Sequence, residues 1–254
     1  MKQKIIDFLN WYKSTQGCKG VVLGISGGKD STVCAMLAKK IWGNNMLGII
    51  MPNGIQKDID DAIQVCKVLD IPYKIVNIEK AYNEIIKAVE YPEDFSDIEI
   101  DFSYSTISDK AKTNIPPRLR MTALYAVAQT LGYRVMGTGN ASERFIGWFT
   151  KWGDGAHDFN PLAHLRCSEV IELGLELCTE YNLPESLIIK KPADGLTGKS
   201  DEENFGFTYN QLDTYIEEYT SGNQVADLKI EQLHKLAEHK LRMPYTLLKD
   251  GINN

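Results

Sequence analysis

The residues Ser26-Gly27-Gly28-Lys29-Asp30-Ser31 close an apolar run and open a helical pattern. Gly27 and Gly28 let backbone N–H groups face an anion, and a helix N-terminus adds partial positive charge, so the turn suits phosphate. Ser26 and Ser31 add hydroxyl donors. It is not a Walker A loop, because Asp30 follows Lys29 where Ser or Thr is required. The glycine spacing also fails the dinucleotide fingerprint. Asp30 would repel a naked phosphate and makes sense when a hard cation bridges it to the phosphate oxygens. An ordinary tight turn with Asp30 as a helix-start acid is the bland alternative, and the complete S-G-G-x-D-S pattern disfavours it.

Such a turn needs a strand before it and a helix after it. Gly20–Ile25 reads as a buried strand, Asp30–Ile41 as a helix, and Asn45–Met51 as a second strand. A helix over Lys57–Leu69, a strand over Pro72–Val76 and a helix near Tyr82–Val89 follow. This alternation means βαβ units and a parallel sheet. The segment 90–101 is acidic, holds Pro92 and reads as an exposed excursion. Pro116-Pro117 is expected to open the next helix, which ends at Gly132 before a strand over Tyr133–Thr138. Gly139–Leu165 has little periodicity but many Gly, Asp and aromatic residues, the mark of a functional loop region. Helices are expected over Ser168–Tyr181, Tyr209–Tyr219 and Ile230–Arg242. The N-terminus reads as an amphipathic helix rather than a signal peptide.

The 254 residues, 43% hydrophobic and 24% charged, fit a globular chain, read as a single domain over residues 1–254. No apolar run approaches the ~20 residues of a membrane span. A net charge of −6 argues against a nucleic-acid enzyme. The five cysteines, Cys18, Cys34, Cys66, Cys167 and Cys178, show no zinc spacing and read as reduced core thiols in a cytoplasmic protein. Asp58, Asp60 and Asp61 read as a solvated helix start rather than a metal cluster.

The turn resembles the pyrophosphate loop of the N-type ATP pyrophosphatases, which cleave ATP between its α- and β-phosphates. Four further segments resemble NAD synthetases in order and spacing: "NIPPRLRM" (Asn114–Met121), "GTGNASE" (Gly137–Glu143), "GWFTKWGDGAHDFNPL" (Gly147–Leu162) and "EHKLRMP" (Glu238–Pro244). The resemblance implies a doubly wound α/β sheet of Rossmann-like, adenine nucleotide alpha hydrolase-like type with flanking helices. It implies a homodimer that adenylates the carboxylate of nicotinic acid adenine dinucleotide with ATP and lets ammonia displace AMP. It places Mg²⁺ on Asp30 and Glu143, and ATP against Gly24, Ile25, Ser26, Gly27, Gly28, Lys29, Asp30, Ser31, Thr138, Lys199 and Ser200. Arg118, Lys151, Asp158, His239 and Lys240 match substrate positions, with Lys151 also counted as catalytic beside Asp30 and Glu143. An anionic dinucleotide needs cations, and Arg118, Lys151 and Lys240 supply them.

Taken singly, Arg118, Glu143, His239 and Lys240 also read as surface residues. The chain departs from the family where a lysine for ATP is usual, at Cys167, and again at Ala193 and at Lys199 before Ser200. Lys199, with Arg166 as the alternative, is expected to cover the missing charge. A related amide ligase for another carboxylate, an inactive nucleotide-binding relative and a tRNA-thiolating enzyme are the competing readings. No cysteine has a recognisable glutaminase setting, so free ammonia, or ammonia from a separate protein, is the expected nitrogen source.

Overall fold

The computed structural model describes residues 1–56, 59–90, 106–190, 200–248 and 251–252. After helix α1 (Lys2–Thr15), the chain builds β1 (Val21–Gly24), α2 (Lys29–Trp42), β2 (Met46–Ile50), α3 (Ile59–Val68), β3 (Tyr73–Ile75) and α4 (Glu79–Glu90). The long helix α5 (Asp109–Leu131) then leads to β4 (Arg134–Val135) and the short α6 (Ala141–Ile146). Helices α7 (Cys167–Tyr181), α8 (Ser186–Ile189), α9 (Asp201–Phe205), α10 (Tyr209–Glu218) and α11 (Gln224–Leu241) follow, before a small hairpin of β5 (Leu247–Leu248) and β6 (Gly251–Ile252).

The main sheet has four strands in the order β3-β2-β1-β4. Its pairings are all parallel, with Val21 of β1 opposite Met46 of β2 on one side and Arg134 of β4 on the other. Successive side chains of a strand point to opposite faces. Val21 and Leu23 accordingly join the core under α1, α2, α3, α7 and α8, while Val22 joins the opposite core with Ile49, Val135 and Ala128 of α5. Both faces are covered, as the doubly wound reading requires. A third apolar cluster, with Ile146, Cys167, Phe205, Tyr209, Leu212 and Ile230, packs α6, α7, α9, α10 and α11 together.

The chain builds β1, β2 and β3 outward in one direction and then returns to place β4 on the other side of β1. The turns leaving β1 and β4 therefore diverge, which is where open α/β sheets bind ligands.

Two helix starts differ most from the sequence reading. Helix α5 begins at Asp109 and runs through Pro116 and Pro117, rather than starting after them. Ser108 supplies the start, its hydroxyl accepting from the Ala111 amide at 3.3 Å. Both prolines are buried, and packing there outweighs the backbone donors they lack. Helix α11 starts at Gln224, six residues before the predicted Ile230, because Asn223 caps it by accepting from Val225 and Ala226. The excursion at 91–101 lies outside the described residues.

Candidate active site

Gly28 caps α2, and the preceding turn is held by its serines. Ser26 Oγ accepts from the Gly28 amide at 3.1 Å and lies 3.0 Å from Ser31 Oγ, which donates to Gly28 O. Gly27 has φ +78°, and a Cβ there would lie 2.7 Å from the Ala62 amide nitrogen, so only glycine fits. Among the described residues, the amides of Gly27, Lys29, Asp30 and Ser31 have no acceptor in the protein. They are the orphan donors of a helix start, available to an anion. Gly24 and Ile25 bring the chain off β1, and the Ile25 amide is still bonded to Ile49 O at 2.9 Å.

The other wall is the turn after β4, where Gly137, the half-buried Thr138 and Gly139 lead to Asn140. Asn140 is fully buried and forms a capping box with Glu143: its Oδ1 accepts from the Glu143 amide at 2.9 Å, and its own amide donates to Glu143 Oε2 at 3.1 Å. Its Nδ2 donates across the crevice to Asp30 Oδ1 at 3.0 Å. One asparagine thus fixes both carboxylates that the sequence singled out. Burial, and then the charge of Asp30, raise Glu143 well above the usual carboxylate range.

Lys29 is 4% exposed, and its Nζ donates to Asp30 Oδ2 at 2.7 Å beneath the Tyr209 ring, 5.3 Å from the centroid. Burial works against its charge, but Asp30 and then Glu143 outweigh it and hold the ammonium protonated. Cys167, where the family resemblance implies a lysine, is buried nearby; burial pushes its thiol up to about 12, with Lys29 opposing. All five cysteines are free and buried. Arg166 is bound to Glu169 at 3.2 Å and to Glu217. Lys199, Ala193 and Asp58 lie outside the described residues. Asp61 pairs with Lys190 at 2.7 Å, and no cluster of three metal-ligating side chains occurs among the described residues. Ser200 serves as the N-cap of α9, its hydroxyl accepting from the Glu203 amide at 3.3 Å and donating to the Glu203 carboxylate at 2.7 Å.

The candidate substrate residues form a separate group. Arg118 Nε donates to Lys151 O at 3.4 Å, and Lys151 Nζ donates to the backbone oxygen of His239. Lys240 donates to Gly147 O and Phe149 O at 2.7 and 2.8 Å, which ties α11 to the loop that carries Lys151. Arg118 and His239 are exposed. Asp158 sits elsewhere, its Oδ2 accepting from the Val135 amide at 2.7 Å and its Oδ1 lying 3.4 Å from the Tyr125 hydroxyl.

Sequence reasoning missed Asn140, Ser142 and Asp213. Ser142 Oγ donates to Asp213 and accepts from the Cys167 amide at 2.9 Å, while Asp213 also accepts from the Ser168 amide at 2.8 Å. This buried network locks α6, and with it Glu143, against α7 and α10. The Asn140-Ala141-Ser142-Glu143 spacing is a capping-box signature and could have revealed α6.

The family model described as NAD synthase matches residues 1–244. The chain belongs to the NAD synthase family. Among its relatives in this family is the NH(3)-dependent NAD(+) synthetase of Thermococcus sibiricus, 37% identical, with 95% of this chain and 94% of the relative covered. Its structure is similar to that of NMN synthetase from Francisella tularensis, with a TM-score of 0.84, 33% identity, and 96% and 95% of the two chains covered. It is also similar to the NH3-dependent NAD synthetase from Campylobacter jejuni, with a TM-score of 0.75, 26% identity and 97% of each chain covered. These NAD synthase relatives match nearly end to end. Among the described residues, no helix is long and apolar enough to cross a membrane.

Proposed function

We propose that this protein amidates the carboxylate of nicotinic acid adenine dinucleotide with ammonia, splitting ATP to AMP and pyrophosphate. Family membership supports the ligase chemistry. The observation that carries the site assignment is the pair of carboxylates, Asp30 and Glu143, held by Asn140 across the switch point of the sheet. A carboxylate is a poor electrophile, and adenylation gives it a good leaving group. The orphan amides of the turn and the N-terminus of α2 oppose the negative charge that builds on the departing pyrophosphate.

The donor set fits Mg²⁺: two carboxylates fixed by one asparagine, Glu143 raised in pKa by burial and then by the charge of Asp30. A bound Mg²⁺ would supply electrostatic stabilisation of phosphate oxygens, with Asp30 and Glu143 holding it. Asn140 orients both carboxylates, and the Ser142–Asp213 network keeps α6 from shifting. On the substrate side, Arg118, Lys151 and Lys240 gather positive charge at the junction of α5, the Lys151 loop and α11, with His239 beside them, suited to anionic phosphates. Asp158 is proposed for the substrate on the resemblance alone.

The chain is proposed to act as one catalytic unit, a cytoplasmic homodimer with Arg118, His239 and Lys240 near the subunit contact. A second reading is favoured by the likeness to an NMN synthetase: the acid amidated is nicotinic acid mononucleotide. One assay separates the readings. ATP, Mg²⁺ and ammonium are supplied with each acid in turn, and amide, AMP and pyrophosphate are scored by chromatography. Amidated dinucleotide formed with the higher kcat/KM supports the first reading, and preference for the mononucleotide supports the second. ADP and phosphate as products would overturn both.

A further inference from the structure

The ammonium of Lys29 is a cation inside a site that must take both an anion and a cation. An ammonium has three N–H donors and no acceptor. Among the described residues, one acceptor is available to it, Asp30 Oδ2 at 2.7 Å. Its ammonium also lies over the face of the Tyr209 ring, whose own hydroxyl is bound to Asp201 at 2.9 Å, with Glu143 near enough to favour its charge. Two donors of a side chain that is 4% exposed are therefore without acceptors, beside the turn whose amides are also unpaired. Buried donors in that condition mark a place where oxygen ligands belong. The same ammonium also carries positive charge next to the two carboxylates that suit a divalent cation, so lysine and metal compete for Asp30.

We propose that Lys29 couples the two ligands: it guards Asp30 until phosphate oxygens accept its spare N–H groups, and Asp30 then becomes available to the divalent cation. Without nucleotide the carboxylate pair is partly neutralised from within, and free cations bind weakly. With a phosphate in the turn, the ammonium shares its charge with the phosphate oxygens and the carboxylates regain their pull on the metal. The inference rests on the turn being the ATP site.

The test uses the full chain and its Lys29→Met variant, which keeps length and apolar volume but removes the charge. Free Mn²⁺ is titrated by electron paramagnetic resonance without nucleotide. Separately, α,β-methylene ATP is titrated in EDTA. The variant should bind Mn²⁺ at least about tenfold more tightly, because a positive charge a few ångströms from the ligands has gone. It should bind the nucleotide analogue at least about tenfold more weakly in EDTA, because charge-assisted hydrogen bonds are lost. These opposite signs distinguish coupling from a packing defect, which would weaken both. Mn²⁺ affinity equal to or weaker than that of the unchanged protein overturns the proposal. Adding Asp30→Asn to the Lys29→Met variant should abolish its tighter Mn²⁺ binding and so verify the site. Failure of the analogue to bind either protein would sink the nucleotide reading instead, and the Mn²⁺ comparison would still judge the guarding of Asp30. Lys29→Gln replaces the methionine variant if circular dichroism shows that the latter does not fold.

Discussion

Asn140 gives the sharpest test of the carboxylate pair, because one side chain does two separable things. Replacing it with Ala removes a helix cap, worth about 1 kcal/mol. It also removes the hydrogen bond to the ionised Asp30 at 3.0 Å, and bonds to charged groups are worth about 1.5–3 kcal/mol. Asn140→Ala should therefore cost about 2.5–4 kcal/mol, or about 5–15 °C in melting temperature for a chain of this size. Asn140→Asp keeps a good cap but faces an oxygen to Asp30 across the same gap. At an effective dielectric of about 20, two unit charges that close repel by about 5 kcal/mol before protonation relieves them. The two variants should respond differently to a divalent cation. Thermal melts in EDTA and in excess Mg²⁺ should show Asn140→Asp recovering much of its loss, since a third carboxylate favours the ion. Asn140→Ala should recover no more than the unchanged protein does. Equal Mg²⁺ shifts in the two variants would mean that Asp30 and Asn140 do not share a cation site. An Asn140→Ala protein as stable as its parent would refute the bonding read here.

Gly27→Ala should abolish ATP binding and lower stability, because its Cβ would meet the Ala62 amide nitrogen at 2.7 Å with φ at +78°; isothermal calorimetry and a thermal melt check both effects. Lys151→Met should raise the KM for the acid substrate by about tenfold or more while leaving the KM for ATP unchanged, since a charge-assisted contact is worth about 1.5–3 kcal/mol. Steady-state kinetics in each substrate give the split, and a matched rise in both constants would argue against the two-group layout. His157 is depressed below 6.5 by burial and then by Arg144. Its neutral ring contributes stability above that value, and the contribution is lost as pH falls through the lower folded-state value. His157→Ala should flatten the drop in melting temperature on acidification below 6.5, and an unchanged slope would assign the acid sensitivity elsewhere.

The alternation of apolar runs and helical patterns made the sheet and its first helices legible, with boundaries within a few residues at α2, β2 and α7. The exception at α5 is instructive. A proline pair reads as a helix start because it lacks donors, yet Ser108 caps the helix eight residues upstream, and burial of both rings tolerates the missing bonds. Asp30 was legible from its turn alone. Glu143 was legible only through resemblance, because nothing in its neighbourhood states that a residue 113 positions later in the chain will face Asp30. That pairing comes from strand order: β4 returns to the far side of β1, and its exit turn then borders the phosphate turn. The substrate group was read as one set, but the structure gathers Arg118, Lys151, His239 and Lys240 and leaves Asp158 on the edge of β4.

Lys29 shows why residue type and motif do not settle a role. The resemblance places it among the ATP-binding residues, and the structure turns its side chain inward. It does so because the first turn of α2 faces the cluster of Phe205, Tyr209 and Cys167, where a long apolar stem can be buried while its charged end meets Asp30. A buried ammonium is costly unless a charge accompanies it. Burial, and then the charge of Asp30, outweigh the ammonium, so Glu143 remains raised even beside it. The site is thus left short of positive charge on the carboxylate side and short of acceptors on the lysine side. On the proposed function, a magnesium–phosphate ligand answers both shortages at once, and neither ion alone does.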